Sequence, residues 1–187
     1  MREIEVKMRV NDMAALEQAL ISRGCILGES VRQEDVIYGR PENNIYEKSK
    51  VGQIAIRIRK VINMTGNKFF LTAKYNLSNE LDNIEHELEI MDGPEMHATL
   101  GLMGWQPVVE VKKMRRKGKL GEYEICLDEV EELGSFAGLE KMTSDDADAG
   151  LIQGQLLKEF EALGIPRGNQ EMSGYDTLMY SLKKTNN

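Results

Sequence analysis

The chain has 187 residues, of which 41% are hydrophobic and 29% are charged, and its net charge is −7. These values predict one globular domain, residues 1–187, with its own core. The negative charge argues against a nucleic-acid partner, which needs an exposed basic surface. The sequence has no apolar run of about 18 residues and no signal or transit peptide, so we expect a cytoplasmic protein without a membrane span.

Histidine and cysteine are rare, which narrows the possible chemistry. His86 and His97 are the only histidines, too few for a multi-histidine zinc site. Cys25 and Cys126 each lie beside apolar neighbours. A disulfide between them is one possibility, but two reduced, partly buried thiols fit a cytosolic protein better.

The first predicted element is a strand with two different faces. Apolar and charged residues alternate strictly over residues 4–10, which is typical of a strand with one apolar and one charged face. The charged face carries Glu3, Glu5, Lys7 and Arg9. A helix is predicted next, over residues 12–23, with Gly24 at its end.

The same alternation recurs along the next hundred residues. The predicted strands are residues 53–59, 68–75, 84–90, 107–116 and 122–128. Their charged faces are segregated by sign, with basic residues on some strands and carboxylates on others. The basic faces carry Arg57, Arg59, Lys74, Lys113 and Arg115.

An internal sequence repeat at a spacing of 80 residues relates the first part of the chain to the second. Ile4 matches Ile84, Asp12 matches Asp92, and Gly24 matches Gly104. We interpret this as two similar halves that form one sheet system.

The C-terminal third is predicted to be helical. Thr143 or Ser144 can cap a helix that runs to Leu163. Its apolar stripe consists of Ile152, Leu156, Phe160 and Leu163. A short last helix is predicted over residues 175–182, and both helices need an apolar surface to cover.

The charged strand faces have two interpretations. On a one-sided antiparallel sheet they are simply solvated, which is the default. The segregation of these faces by sign of charge favours a closed barrel with helices outside. The interior of such a barrel would be lined by positive and negative side chains. Unpaired buried charges are destabilising, but a polyanion and a divalent cation would compensate them.

A family resemblance supports the second interpretation. Residues 3–7, Glu-Ile-Glu-Val-Lys, resemble the E-x-E-x-K signature of the CYTH superfamily, the triphosphate tunnel metalloenzymes. This superfamily includes class IV adenylyl cyclases and thiamine triphosphatases. Further similar segments follow in the family's order at residues 55–59, 71–74, 85–89, 113–115, 127–140 and 173–178. The resemblance implies an α+β fold, a closed or nearly closed antiparallel barrel of eight strands with helices packed outside.

The resemblance also implies roles for individual residues. The implied ligands of Mg²⁺ or Mn²⁺ are Glu3, Glu5 and Glu140, with Glu87 and Asp128 as possible helpers. The implied triphosphate-binding residues are Lys7, Arg57, Arg59, Lys74, Lys113 and Arg115. The implied catalytic residues are Glu3, Glu5, Lys7 and Asp128. If the strand register differs, Lys112 or Arg116 takes the place of Lys113 or Arg115.

Two positions depart from the family pattern. Gly138 stands where the family often has a second glutamate, which predicts a missing metal ligand or a gap in its surroundings. Ile37 stands where thiamine triphosphatases have a tyrosine tied to catalysis, and Tyr38 could replace it only after a local shift.

The resemblance is strongest to class IV adenylyl cyclases, and three functions follow from it. The first is metal-dependent conversion of ATP to cyclic AMP and pyrophosphate. The second is hydrolysis of inorganic or nucleoside triphosphate in the same tunnel. The third is a noncatalytic phosphoanion-binding module. The expected partner is ATP or inorganic triphosphate, and the chain is expected to be a monomer or a homodimer.

Overall fold

The computed structural model describes residues 2–41, 46–47, 50–64 and 66–185. The strands are β1 Arg2–Arg9, β2 Ile26–Leu27, β3 Val31–Gly39, β4 Ile54–Asn63, β5 Gly66–Asn76, β6 Asp82–Ile90, β7 Gln106–Leu120, β8 Tyr123–Val130, β9 Gly134–Thr143 and β10 Gln170–Glu171. The helices are α1 Met13–Ser22, α2 Gly93–Leu102, α3 Ala149–Ala162 and α4 Tyr175–Thr185. No helix among these residues is long and apolar enough to cross a membrane.

Eight antiparallel strands close into a barrel, as predicted. Their order is β1-β6-β5-β4-β3-β7-β8-β9, and β9 pairs again with β1 over its whole length. The two-residue strands β2 and β10 pair with β7 and β1. Neither these nor the long strands β3 and β9 were among the strands predicted from alternation. Closure leaves each long strand with one face inside the barrel and one outside.

The two similar halves predicted from the internal repeat are present in the structure. α1 and α2 begin and end 80 residues apart, and the side chains of Asp12 and Asp92 cap their first turns. Each helix is followed by a glycine with positive φ, Gly24 at 79° and Gly104 at 83°. Such backbone angles favour glycine, which explains why both positions keep it.

The helices cover the outside of the barrel unevenly. α1 and α3 pack on β1, β8 and β9, where Leu16, Leu20, Leu156 and Phe160 are at most 3% exposed. α2 packs more loosely against β3, β4 and the start of β5, mainly through Leu100. The apolar face of β5 and β6 thus receives less cover than the corresponding face of β9 and β1.

α4 closes one end of the barrel. Tyr175 and Met179 pack with Val111, Val130 and Phe136 at that end. The turn between β7 and β8 lies at the other end, where the side chain of Glu122 is 63% exposed.

Some predicted boundaries were wrong. The cap of α3 is Asp148, whose side chain accepts a hydrogen bond from the backbone N–H of Leu151. Thr143 cannot serve as the cap because it ends β9. The predicted strands over residues 53–59 and 107–116 are longer in the structure, because pairing continues past the last alternating residue into the hairpin turns.

Candidate functional site

The barrel interior holds one large cavity of about 980 Å³. Its mouth lies beside the turn between β7 and β8, where the side chain of Glu122 is 63% exposed. Its closed end lies under α4, where the side chains of Lys7 and Lys113 are only 4% and 3% exposed. The walls of the cavity carry charges of both signs. The charged faces of the strands therefore point into the barrel, as the second interpretation predicted.

Three carboxylates gather on the wall formed by β1 and β9. Antiparallel pairing sets Glu5 opposite Glu140, and Glu3 is two residues away on the same face. One oxygen from each of the three lies within 4.8 Å of the others. Burial, with the charges of Glu3 and Glu5, raises the pKa of Glu140 to about 8. We call these three residues the acidic group.

The acidic group has the donor chemistry of a divalent-cation site. Carboxylate oxygens are the ligands that Mg²⁺ and Mn²⁺ prefer. A bound cation would favour the ionised form of Glu140, against the burial and the charges of Glu3 and Glu5 that raise its pKa. The residues present therefore fit such an ion.

Gly138 gives the Glu5 carboxylate its room. A Cβ atom at this position would lie 2.8 Å from Oε1 of Glu5, closer than side-chain carbons normally approach. The missing family glutamate therefore leaves a space that Glu5 occupies. This departure from the family pattern borders the acidic group directly.

Cys126 also lies on the inner wall, although its sequence neighbours are apolar. Its Sγ is 3.5 Å from Oε1 of Glu140, on the neighbouring strand. Burial raises the pKa of this thiol, so the group stays neutral. Cys126 and Cys25 are both buried and free, as expected.

The opposite wall is centred on Asp35, a residue that the sequence did not single out. Arg59 donates two hydrogen bonds to its carboxylate, at 2.7 and 2.8 Å, and Lys113 donates one at 3.0 Å. Burial favours the protonated acid, but Arg59 and Lys113 hold the pKa of Asp35 well below its usual range. Burial also lowers the pKa of Lys113 to about 7, against the attraction of Asp35.

Asp128 forms a second buried ion pair, with Arg115. Arg115 donates to both carboxylate oxygens, at 2.7 and 2.6 Å, and the Tyr175 hydroxyl donates at 2.8 Å. Burial opposes ionisation, yet Arg115 lowers the pKa of Asp128 to about 2. Asp128 is 1% exposed, behind Arg115. We call Asp35, Asp128 and their basic partners the basic wall.

Arg57 and Lys74 connect the two walls. Arg57 pairs with Glu85 and Glu87, each at 3.1 Å, and Lys74 pairs with Glu85 at 3.3 Å. Burial opposes ionisation of Glu85, but Lys74 and Arg57 lower its pKa to about 2. Each of these basic side chains already has a protein partner, and an incoming phosphate would have to share it.

The structure places all six predicted triphosphate-binding residues on the cavity lining. Lys113 and Arg115 face inward, while Arg116 lies outside the barrel and bonds to Gly28. The register therefore excludes Arg116 as a replacement. Lys112 has the opposite parity to Lys113 on the same strand, which excludes it as well.

Two residues with predicted roles, Glu87 and Asp128, lie apart from the acidic group, and Tyr38 lies outside the barrel. Glu87 accepts hydrogen bonds from Arg57 and Thr72 and lies outside the acidic group, so it does not join the predicted metal ligands. Asp128 is held behind Arg115, away from the cavity surface, which argues against its predicted catalytic and metal roles. Tyr38 points outward to His97, so it does not replace the tyrosine missing at Ile37.

Asp35 was missed for a specific reason. It follows Glu34, and a pair of adjacent carboxylates does not show which one faces the barrel interior. Two polar residues, Arg32 and Gln33, precede this pair and two apolar residues, Val36 and Ile37, follow it, so no alternation fixes which side of the strand Asp35 occupies. Only the pairing of Asp35 with Arg59 across β3 and β4 decides it.

Comparison with known proteins identifies the family. The CYTH domain model matches residues 1–175, so the chain belongs to the CYTH domain family. The protein named "Putative adenylate cyclase MJ0240" of Methanocaldococcus jannaschii is 27% identical over 171 residues, 90% of this chain and 93% of that protein. Adenylate cyclase CyaB of Aeromonas hydrophila is 25% identical over 177 residues, 94% of this chain and 87% of that protein.

A solved structure shows the same fold. The PH1819 protein from Pyrococcus horikoshii is 27% identical and superposes with a TM-score of 0.81. The match covers 97% of this chain and 99% of that one. Similarity over the whole barrel confirms the predicted tunnel fold.

Proposed function

We propose that this protein is a divalent-metal-dependent enzyme that converts ATP to cyclic AMP and pyrophosphate. The observation that carries the proposal is the acidic group, Glu3, Glu5 and Glu140, in the same cavity as the basic wall. A nucleoside triphosphate with its metal ion carries both charges that these two surfaces complement. The names of the two curated relatives favour cyclisation of ATP.

The reaction needs positioning more than covalent help from the protein. The ribose 3′-hydroxyl attacks the α-phosphorus and releases its proton to solvent, the bond from the α-phosphorus to the bridging β-phosphate oxygen breaks, and pyrophosphate leaves. A bound divalent cation supplies charge stabilisation at the reacting phosphate. Arg59, Lys113 and Arg115 are held by Asp35 and Asp128 before substrate arrives, so little reorganisation is required when they contact phosphate oxygens.

Hydrolysis of the triphosphate is the second candidate, favoured by the open mouth. The side chain of Lys74 is 26% exposed and that of Glu87 is 37% exposed. Solvent therefore reaches the region that would hold the substrate, and water could attack in place of the ribose hydroxyl. A phosphoanion-binding module without turnover is the outcome that remains if neither reaction occurs.

Product identification tests the proposal. The purified protein is incubated with ATP or inorganic triphosphate, with and without Mg²⁺ or Mn²⁺. We expect cyclic AMP and pyrophosphate from ATP, only with metal present. Orthophosphate as the main product would establish the triphosphatase instead, and the absence of any product would indicate the binding module.

A matched pair of variants tests the site. Glu140→Gln should lower metal-dependent turnover by about 100-fold or more, because it removes a charged ligand of the acidic group. Glu159→Gln changes a surface carboxylate of α3 in the same way and should leave turnover unchanged. Equal activity of the two variants would contradict the assignment of the acidic group.

A further inference from the structure

Tyr175 is the first residue of α4, and its side chain lies at the closed end of the cavity. It is 9% exposed and belongs to the cavity lining. The Nζ atom of Lys7 lies 4.2 Å from the centroid of its ring, and that of Lys113 lies 5.4 Å from the same point. The hydroxyl of Tyr175 donates a hydrogen bond to Asp128, the carboxylate partner of Arg115. One side chain of α4 therefore contacts two of the predicted triphosphate-binding residues directly and a third through Asp128.

The two lysines reach this ring from strands that are not neighbours. Lys7 is on β1 and Lys113 is on β7, and β8 and β9 lie between these strands in the barrel. Hydrogen bonds between adjacent strands therefore do not directly set the distance between the two ammonium groups. The ring of Tyr175 is a contact that both groups share, so it relates their positions across the closed end.

An aromatic ring suits this position better than a further carboxylate would. The side chains of Lys7 and Lys113 are only 4% and 3% exposed, and a buried ammonium group without a partner is destabilising. A carboxylate would stabilise both cations, but its negative charge would also repel a phosphate chain. The face of an aromatic ring attracts a cation through its quadrupole and carries no net charge. Because the ring accepts none of the three N–H donors in a conventional hydrogen bond, it leaves those donors to an anion.

The start of α4 is fixed to the barrel on both sides of Tyr175. The backbone N–H of Gly174 donates to the side chain of Glu80 at 2.8 Å. The Nζ atom of Lys50 donates to the side chain of Asp176 at 2.7 Å. Glu80 belongs to the connection between β5 and β6, and Lys50 precedes β4. These contacts hold the backbone of Tyr175 in place, so its ring has a defined position in the cavity.

We propose that Tyr175 is a positioning residue for the triphosphate chain, whose ring presents the ammonium groups of Lys7 and Lys113 to phosphate oxygens. This role rests on the proposed function, because it concerns the same substrate in the same cavity. α4 is then part of the binding site as well as a cover for one end of the barrel.

Calorimetric titration of the full-length protein with inorganic triphosphate, in buffer with Mg²⁺, tests this role without relying on turnover. Tyr175→Leu removes the ring, and its dissociation constant should rise by about 10-fold or more, because a desolvated cation–π contact contributes at least that factor. Tyr175→Phe keeps a ring face for both cations, so its dissociation constant should stay within about 3-fold of the wild type. Tyr180→Leu is the matched control on the same helix, where the ring of Tyr180 stacks on Tyr46 away from the cavity lining. This control should lose stability but bind triphosphate as the wild type does.

A fluorinated ring separates positioning from packing. Pentafluorophenylalanine at position 175 nearly keeps the shape of phenylalanine, but its fluorine atoms withdraw electron density and remove the negative face of the ring. Its dissociation constant should therefore be about 10-fold or more above that of Tyr175→Phe. A ring that only packs against its neighbours would bind triphosphate equally well in both forms.

Each result decides the matter. Weak binding in the leucine and fluorinated variants, with near wild-type binding in Tyr175→Phe and Tyr180→Leu, supports the proposal. Equal dissociation constants in all variants would overturn the role of Tyr175 and leave the proposed function intact, whereas a wild type that does not bind triphosphate would overturn both. Equally weak binding in Tyr175→Phe would assign the effect to the hydroxyl and overturn the role of the ring. If urea unfolding shows that Tyr175→Leu is not folded, the comparison of the two phenylalanine rings decides instead.

Discussion

The basic wall and the acidic group face each other across one cavity, yet they handle charge in opposite ways. In the basic wall, Arg59, Lys113 and Arg115 each donate hydrogen bonds of 2.6 to 3.0 Å to Asp35 or Asp128. In the acidic group, Glu140 faces Glu5 and Glu3 on β1, and burial with these two charges raises its pKa to about 8. Every basic side chain of the first region has a carboxylate partner without a ligand, whereas the carboxylates of the second region lie against one another. Removing a carboxylate should therefore have opposite effects in the two regions.

The largest effect is expected at the centre of the basic wall. Asp35→Asn leaves Arg59 and Lys113 buried without their counter-ion, which should cost about 3–5 kcal/mol of unfolding free energy. Urea unfolding measures this cost. Glu34→Gln changes the neighbouring, partly exposed carboxylate and should cost less than about 1 kcal/mol. Inorganic triphosphate should raise the melting temperature of Asp35→Asn more than that of the wild type, since the anion replaces the lost charge. Equal stability of the two variants would contradict the ion-pair account.

The second effect concerns pH. The folded-state pKa of Asp128 is about 2, below its ordinary value of 3.8. Its ionised form therefore stabilises the fold above about pH 4, and this contribution is lost as the pH falls through about 2. The shift corresponds to about 2 kcal/mol. We expect the stability difference between wild type and Asp128→Asn to shrink by about this amount between pH 5 and pH 2, measured by urea unfolding. A difference that stays constant over this range would show that Asp128 is not ionised in the folded protein.

The third effect has the opposite sign. In metal-free buffer near neutral pH, Glu140→Gln should stabilise the protein by about 1 kcal/mol or more, because Glu140, whose pKa is raised to about 8, must take up a proton on folding and glutamine need not. Adding Mn²⁺ should raise the melting temperature of the wild type but not that of the variant. Thermal unfolding with and without Mn²⁺ measures both changes. Destabilisation in metal-free buffer would mean that the acidic group is compensated like the basic wall.

The smallest effect is expected at Gly138. Gly138→Ala brings a methyl group against the Glu5 carboxylate, which must move by a few tenths of an ångström. We expect Mn²⁺ affinity to fall by a few-fold, about 2- to 10-fold, in a protein that remains folded. Gly154→Ala on α3 meets nothing within 4 Å and serves as the control. Calorimetric titration with Mn²⁺ compares the two, and unchanged affinity in Gly138→Ala would separate this glycine from the metal site.

Much of this protein follows from the sequence itself. Strict alternation defined β1 and predicted that Glu3, Glu5 and Lys7 share a face, because successive side chains in a strand point to opposite sides. The 80-residue repeat predicted two similar halves, and α2 repeats α1 at that spacing in the structure. The order of charged motifs indicated the CYTH domain family, which the match over residues 1–175 confirmed.

Tertiary structure alone decided how the charges are compensated. Asp35 and Arg59 are 24 residues apart in sequence, and only the pairing of β3 with β4 brings them together. The same is true of Asp128, which could be a metal ligand by sequence but lies behind Arg115. Local alternation determines which side of a strand a residue occupies, whereas barrel closure determines which strands are neighbours. Electrostatic partners in this protein come from neighbouring strands, so their identity could not be predicted from alternation.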